Sequence, residues 1–294
     1  MRVFITGASG YLGAAATRAL AGRGHTALGL ARSKRAAEAV TACGGTPVPG
    51  SLRDLDLLTA TAATVDAVLH LGYDPQDPAA GDIDAAAVAA LLTGAPRNAP
   101  VVYGSATVVY GDTGREPIDD DPPARVPPFV QQRVDTEQRV LTASGVQGAV
   151  VRPVLVHGHG GSPPLLALLQ AARFRGVSRW PDAGDNHWST VHVDDVAALY
   201  TRMIERPAGG RAVNAASGNT LPVRRLAQAV GSAVGVPSTS APVADLAADV
   251  GGFAGLLTLD QRFTGAATRR LLDWEPTGPD LLTDLASSAY SRSQ

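Results

Sequence analysis

Three glycines, Gly7, Gly10 and Gly13, stand at three-residue intervals in the run Thr6-Gly7-Ala8-Ser9-Gly10-Tyr11-Leu12-Gly13 and carry the clearest chemical signal in the chain. Arg2 to Thr6 has the β-branched and aromatic content of a buried parallel strand, and Leu12 to Leu20 has the spacing of an amphipathic helix. The glycines therefore lie on a strand-to-helix turn. Glycine lets the backbone turn tightly there and come close to a diphosphate, while the free N–H groups at the helix start point at the anion. Gly-rich turns are common in a chain with 32 glycines. A strand before and a helix after, at the extreme N-terminus, distinguish a dinucleotide site from an ordinary turn.

The elements that must position such a site follow a regular alternation. Strands are expected at His25–Ala31, Thr46–Val48, Asp66–Gly72, Val101–Tyr103 and Val146–Pro153, with helices at Lys34–Cys43, Asp54–Ala62, Asp84–Leu92 and Phe129–Ala143 between them. That order predicts an α/β fold, a doubly wound parallel sheet of the Rossmann type with helices on both faces. From Gly158 to Ser189 the pattern is irregular, and from Leu221 onward it is mainly helical, whereas Val191–Ile204 reads as a helix and Arg211–Ala215 as a strand of the main sheet. The expected division is residues 1–157 with 190–218 as the dinucleotide-binding domain, and residues 158–189 with 219–294 as a smaller, mainly helical substrate lobe. A cleft between that lobe and the carboxyl edge of the sheet is the expected ligand site.

Composition narrows the partners. With 294 residues, 45% of them hydrophobic and 18% charged, the chain can bury one large core, or one core and a smaller lobe. A net charge of -2 without a polybasic run offers no footprint for nucleic acid or an anionic membrane surface. No apolar stretch approaches the roughly 20 residues of a membrane helix. Cys43, the single cysteine, excludes an internal disulfide, and the N-terminus enters a core strand without a signal-like segment, so a cytoplasmic location is expected.

Further motifs then fall in a telling order: His70-Leu71-Gly72 after the fourth strand, Ser105 before Val109-Tyr110-Gly111, Arg152-Pro153 with Val156-His157-Gly158, and His192-Val193-Asp194-Asp195. Together with the glycine turn, this set resembles an extended or atypical short-chain dehydrogenase/reductase of the NAD-dependent epimerase/dehydratase group over nearly the full length. The resemblance implies a nicotinamide cofactor over the glycine turn and a small-molecule substrate. It places Gly7, Ser9, Gly10, Tyr11, Leu12 and Gly13 at the diphosphate, Arg32, Ser33, Ser51 and Leu52 at the adenosine end, and Leu71, Gly72, Ser105, Arg133, Pro153 and Val156 along the rest of the cofactor.

The chain departs from the family in three places. An acidic residue ends the second strand in NAD-binding members, but here the run is Ala31-Arg32-Ser33. A carboxylate repels a 2′-phosphate and a guanidinium grips it at two points, so the expected cofactor is NADP. After the third strand, Ser51-Leu52 replaces the aspartate that members often place near the adenine. The catalytic Tyr-x-x-x-Lys pair is also missing. The sole lysine, Lys34, follows Leu30 by four residues, and alignment on Glu137 puts Phe129 and Arg133 at the tyrosine and lysine positions.

That absence bears on the chemistry. Hydride transfer to a carbonyl builds negative charge on oxygen, which needs a proton or a hydrogen bond. Phe129 supplies neither, and Arg133 holds its proton too firmly to shuttle it, leaving it a positioning role. The expected catalytic set is Ser105, whose hydroxyl polarises a substrate oxygen, with Arg133 and Tyr73, the latter either a proton donor or an aromatic wall of the pocket. Tyr73, Phe129, His157, His187 and Trp188 are the expected substrate contacts. His157 and His159 share a side if their segment is extended, but no carboxylate or cysteine accompanies them in sequence, and no metal is expected. Arg173, Arg175 and Arg179 read as the solvated side of a helix and its exit loop, and Asp194-Asp195 as helix capping.

Three functions remain open on these residues: an NADP-dependent reductase of a small carbonyl or conjugated substrate with a non-standard donor, a non-redox isomerase, cyclase or dehydratase that keeps the cofactor, and a silent NADP sensor. The resemblance also implies a homodimer paired through helices 84–92 and 129–143.

Overall fold

A computed structural model describes residues 1–294 except 121, 122, 124, 125, 288, 289 and 291–294. The first half alternates β1 (Arg2–Thr6), α1 (Tyr11–Gly22), β2 (Thr26–Ala31), α2 (Lys34–Ala42), β3 (Thr46–Pro49), α3 (Leu55–Ala62), β4 (Ala67–His70), α4 (Ala80–Gly94), β5 (Pro100–Gly104), α5 (Gln131–Leu141) and β6 (Gln147–Pro153). There follow β7 (Leu155–His157), α6 (Pro163–Arg175), β8 (Ser178–Pro181), β9 (His187–His192), α7 (Val193–Glu205) and β10 (Ala212–Ala215). The chain closes with β11 (Thr220–Pro222), α8 (Val223–Val234), β12 (Ser238–Ala241), α9 (Val243–Val250), α10 (Phe253–Leu256), α11 (Ala266–Leu272) and α12 (Leu281–Leu285).

Seven strands form one sheet in the order β10-β6-β5-β4-β1-β2-β3, every pairing parallel. Its central strands are apolar on both faces, with Val3, Phe4, Ile5, Val68, Leu69, Val102, Val150 and Val151 all fully buried, as parallel strands covered on both sides require. Chain order reverses between β1 and β4, so the loops leaving those strands splay apart and open a crevice. The expected doubly wound sheet is thus present.

The remaining strands form a three-stranded sheet, β11-β9-β7, and a two-stranded one, β12-β8. Around them a separate apolar cluster gathers Leu165, Leu169, Trp188, Leu226, Val230, Leu246 and Leu257. The segment 158–189, expected to be irregular, in fact contains α6, β8 and the start of β9. Its glycines and prolines obscured the pattern, yet Pro163-Pro164 sit at the first helical positions, where a missing N–H costs nothing, and Leu165, Leu169 and Ala172 then bury one face. Helix α5 is preceded by a single 3-10 turn at Pro128–Val130, and α7 starts at Val193 because Val191 and His192 finish β9.

A buried ion pair clamps α5 to the sheet. Arg152 Nε on β6 lies 3.1 Å from both carboxylate oxygens of Glu137, and Arg152 Nη1 donates to Tyr110 Oη at 2.9 Å. Among the described residues no helix is long and apolar enough to cross a membrane.

Candidate active site

The crevice at the carboxyl ends of β1 and β4 holds a cleft of about 350 Å³. Its floor is the β1–α1 turn, with Gly7, Ser9 and Gly10; one wall comes from Leu30 and Arg32 at the end of β2 and from residues 50–53 after β3; the other comes from residues 71–74 after β4. Gly7 has φ +65°, and a Cβ there would meet Leu71 O at 2.6 Å, while a Cβ on Gly13 would lie 2.0 Å from Gly7 O. Any larger residue would push the turn off the loop after β4 or push α1 off the turn. The N-cap of α1 is Gly10, with no side-chain cap, so the first N–H groups of that helix are left for an anion. These features fit a dinucleotide diphosphate.

Polar residues from five elements then form one chain beside the cleft. Thr6 Oγ1 accepts the N–H groups of Leu71 at 3.2 Å and Gly72 at 3.1 Å and lies 2.7 Å from His70 Nδ1. Its own hydrogen therefore goes to His70 Nδ1, and the imidazole proton sits on Nε2, 3.0 Å from Asp84 Oδ1 on α4. Tyr103 Oη on β5 donates to Asp84 Oδ2 at 2.7 Å, and Arg133 Nη1 on α5 donates to Tyr103 Oη at 3.3 Å. Burial pushes the Tyr103 phenol well above its ordinary pKa, so it stays a donor. Burial opposes the Arg133 charge, but Tyr103, Asp84 and Tyr73 outweigh it and hold the guanidinium protonated. Arg133 in turn lies over the Tyr73 ring, 4.2 Å from its centre.

Ser105 follows β5 directly. Its N–H donates to Val151 O at 2.8 Å, and its Oγ is buried with no hydrogen-bond partner among the described residues. Tyr200 Oη on α7 is in the same state; a Cβ on Gly104 would lie 3.0 Å from it. Beyond Ser105, a smaller cavity of about 120 Å³ runs toward the second apolar cluster, lined by Thr107, Val108, Pro153, Leu155, Trp188 and Gln261.

The remaining expected residues divide between cleft and elsewhere. Arg32, Ser51, Leu52, Leu71, Gly72 and Tyr73 line the main cleft, and Pro153 and Trp188 line the smaller cavity. Ser33 caps α2 by accepting the Ala36 N–H at 3.2 Å. Tyr11 Oη donates to Gly158 O at 3.0 Å, and Leu12 and Val156 pack beside Ala15, Val193 and Ala197. His157, 1% exposed, lines neither of these cavities and has its Nδ1 3.0 Å from Asp284 Oδ2. His187 lines a separate open depression with Asp112, Arg224 and Arg262, and Phe129 is 67% exposed at the surface turn before α5.

Sequence reasoning missed several groups. Arg53 and Asp77 line the cleft and pair at 2.8 Å, and Asp74 pairs with Arg32 at 3.2 Å. Arg53 repeats after β3 the placement that singled out Arg32 after β2, which is the signal that points to it. His70 and Asp84 each interrupt an apolar or alanine-rich run, the usual mark of a buried polar partner. Arg173 and Arg175 are exposed, as expected, but Arg175 and the half-buried Arg179 converge on the Asp249 carboxylate, and Arg173 Nη2 donates to Tyr290 O at 3.0 Å. Asp194 and Asp195 stand in the first turn of α7, where carboxylates offset the helix dipole, but the side-chain cap is His192, its Nδ1 accepting the Asp194 N–H at 3.3 Å, and Asp195 reaches the N–H groups of Thr277 and Gly278 at 2.9 and 3.0 Å.

Known proteins resemble this chain in sequence and in fold. The model of the NAD dependent epimerase/dehydratase family matches residues 3–216. An uncharacterized protein of Schizosaccharomyces pombe is 31% identical over 299 residues, spanning 99% of this chain and 100% of that protein. The 2-alkyl-3-oxoalkanoate reductase of Stenotrophomonas maltophilia is 30% identical over 258 residues, spanning 81% of this chain and 77% of the reductase. In fold, the chain is similar to dTDP-glucose 4,6-dehydratase from Bacillus anthracis in complex with NAD, with a TM-score of 0.76 at 14% identity, covering 98% of this chain and 95% of that one.

Proposed function

The chain belongs to the NAD-dependent epimerase/dehydratase family, and we propose that within it the protein is an NADP-dependent reductase of a small carbonyl or conjugated substrate. The observation that carries this reading is a buried, unpartnered Ser105 hydroxyl at the carboxyl end of β5, in the same sheet whose β1–α1 turn forms a glycine cradle that a Cβ on Gly7 or Gly13 would fill. An orphaned buried hydroxyl costs free energy unless a ligand oxygen satisfies it.

The cofactor, when bound, supplies the hydride. Gly7, Gly10 and Gly13 hold its diphosphate, and Arg32 and Arg53 take the 2′-phosphate, exchanging their pairs with Asp74 and Asp77 for it. Ser105 Oγ donates a hydrogen bond to the substrate oxygen as charge grows there. Tyr73 supplies the proton, with the Arg133 guanidinium fixed over its ring, and Arg133 is itself steadied through Tyr103 and Asp84. The smaller cavity with Trp188 takes the apolar part of the substrate; the Stenotrophomonas relative named as a reductase of 2-alkyl-3-oxoalkanoates supports a β-keto acid class. Residues 1–157 with 190–218 then act as the cofactor domain and 158–189 with 219–294 as the substrate lobe, in a homodimer paired through α4 and α5.

The test is Ser105→Ala and Tyr73→Phe assayed with NADPH and a 3-oxo acid panel. Each lowers turnover by roughly 100-fold while NADPH affinity is kept; unchanged turnover in both rejects the assignment. One observation favours a second reading, a protein that holds NADP without turnover: residue 129 is a phenylalanine at the surface. That reading predicts tight NADPH binding with no oxidation against any carbonyl. Sizing chromatography checks the dimer, which a monomer at working concentration rejects.

A further inference from the structure

His159, His192 and Asp194 meet where the loop after β7 passes the start of α7, away from both cavities. Asp194 Oδ2 lies 2.8 Å from His159 Nε2 and 3.7 Å from His192 Nδ1, and one ligand atom from each residue falls within 4.8 Å of the others. Nitrogen and oxygen ligands bound to one tetrahedral zinc at about 2.0–2.2 Å stand roughly 3.4 Å apart. Small side-chain rotations therefore close the set.

The three groups differ in a useful way. His192 is nearly buried and held edge-on between His157 and His159, with ring centres 5.5 and 5.2 Å away. Its Nδ1 carries a lone pair rather than a proton, held in this structure by the Asp194 N–H at a long 3.3 Å, a weak bond that a metal on that nitrogen would replace. His159 and Asp194 are more than half exposed, which gives two movable ligands and an open path for entry. Among the described ion pairs, the only partners of the Asp194 carboxylate are these two histidines; no arginine or lysine neutralises it.

We propose that His159, His192 and Asp194 form a three-ligand site for a divalent transition metal of the zinc type, with water in the fourth position. Two imidazoles and one carboxylate suit zinc, cobalt or nickel and disfavour magnesium and calcium, which prefer all-oxygen shells. The loop that carries His159 also presents the Gly158 carbonyl to Tyr11 and the Gly158 N–H to Tyr290 Oη at 2.9 Å, so a bound ion ties β7, α7, α1 and the C-terminal segment together.

Tag-free full-length protein, stripped with EDTA, is titrated with zinc by calorimetry and with cobalt by visible absorption. One equivalent binds, and the cobalt form shows the intense bands of a four-coordinate site. His159→Ala and Asp194→Ala, both at exposed positions, each weaken binding by more than about tenfold, the least expected where even an outer-shell partner of a metal costs 10–100-fold. Cys43→Ser leaves it unchanged, and magnesium does not compete. NADPH titration of the same variants is unaltered, which separates this site from the reductase reading. No saturable binding of zinc, or binding that survives in either alanine variant, overturns the proposal.

Discussion

The Arg133 guanidinium stacks on the Tyr73 ring at 4.2 Å, joining α5 to the loop that leaves β4 at the wall of the main cleft. Residues 60 positions apart are held in register by the chain of hydrogen bonds beneath them, from Arg133 through Tyr103 and Asp84 to His70 and Thr6. A fixed cation thereby stands next to the only phenol that lines the cleft among the described residues.

Removing that cation should cost rate more than fold. Arg133→Ala is expected to lower turnover by about 100-fold, the loss typical of one preorganised donor at a site of developing charge, and to lower stability by about 1 kcal/mol through the lost stack and hydrogen bond. Steady-state kinetics beside urea unfolding separates the two. Arg133→Lys keeps the charge but not the planar stack and should fall between; equal rates in all three forms would remove Arg133 from the active site.

The proposed adenosine end of the cleft predicts cofactor preference. Arg32→Ala and Arg53→Ala should each weaken NADPH about tenfold, since a charge-assisted hydrogen bond contributes roughly 1.5–3 kcal/mol, less when exposed, and should leave NADH nearly unchanged. Asp74→Ala frees Arg32 and should tighten NADPH. Fluorescence titration of both cofactors decides; parallel losses for NADPH and NADH would show that these arginines do not meet the 2′-phosphate.

The Glu137–Arg152 pair is buried on both sides, at 0% and 3% side-chain exposure. Stripping one partner leaves a charge without solvent or counter-ion, so Glu137→Ala is expected to destabilise by about 3–5 kcal/mol. Glu137→Leu combined with Arg152→Met should recover most of that. A double variant no better than the single one, judged by urea midpoints, would mean the pair is not what clamps α5.

Acid sensitivity should concentrate at Asp284. Burial alone would raise its pKa, but hydrogen bonds from His157 and Tyr290 outweigh it and hold the carboxyl below its ordinary value. A carboxyl depressed in the folded state adds stability above its unfolded pKa of about 3.9 and loses it as pH falls through the lower folded value. Wild type should therefore exceed Asp284→Asn in stability at pH 6, with the gap closing below about pH 4. A gap independent of pH would place the effect in packing rather than in charge.

Much of the fold was legible because it is written in local patterns. β1, the glycine turn and α1 follow one another within 22 residues, and period-two strands, helical spacing and turn chemistry act over such distances. α6 was missed for the same reason in reverse: glycines and prolines at 158–164 read as loop, although prolines at the first helical positions are harmless. Strand ends were misjudged by a residue or two where side chains take over from the ladder, as at Leu71 and Gly72, whose N–H groups bond Thr6 Oγ1.

By itself the amino-acid order determined the parallel α/β class and the glycine turn between β1 and α1, because each depends on residue type at short range. Tertiary structure alone decided which polar groups meet. Asp84 joins His70 and Tyr103, Arg53 joins Asp77 in the cleft, Asp284 takes His157, and Asp194 reaches His159 across 35 positions. The physical reason is that sheet order and helix packing, driven by burial of apolar side chains that carry no pairing code of their own, bring distant strands and loops side by side. Charges and hydrogen-bonding groups then pair with whatever that packing sets within reach.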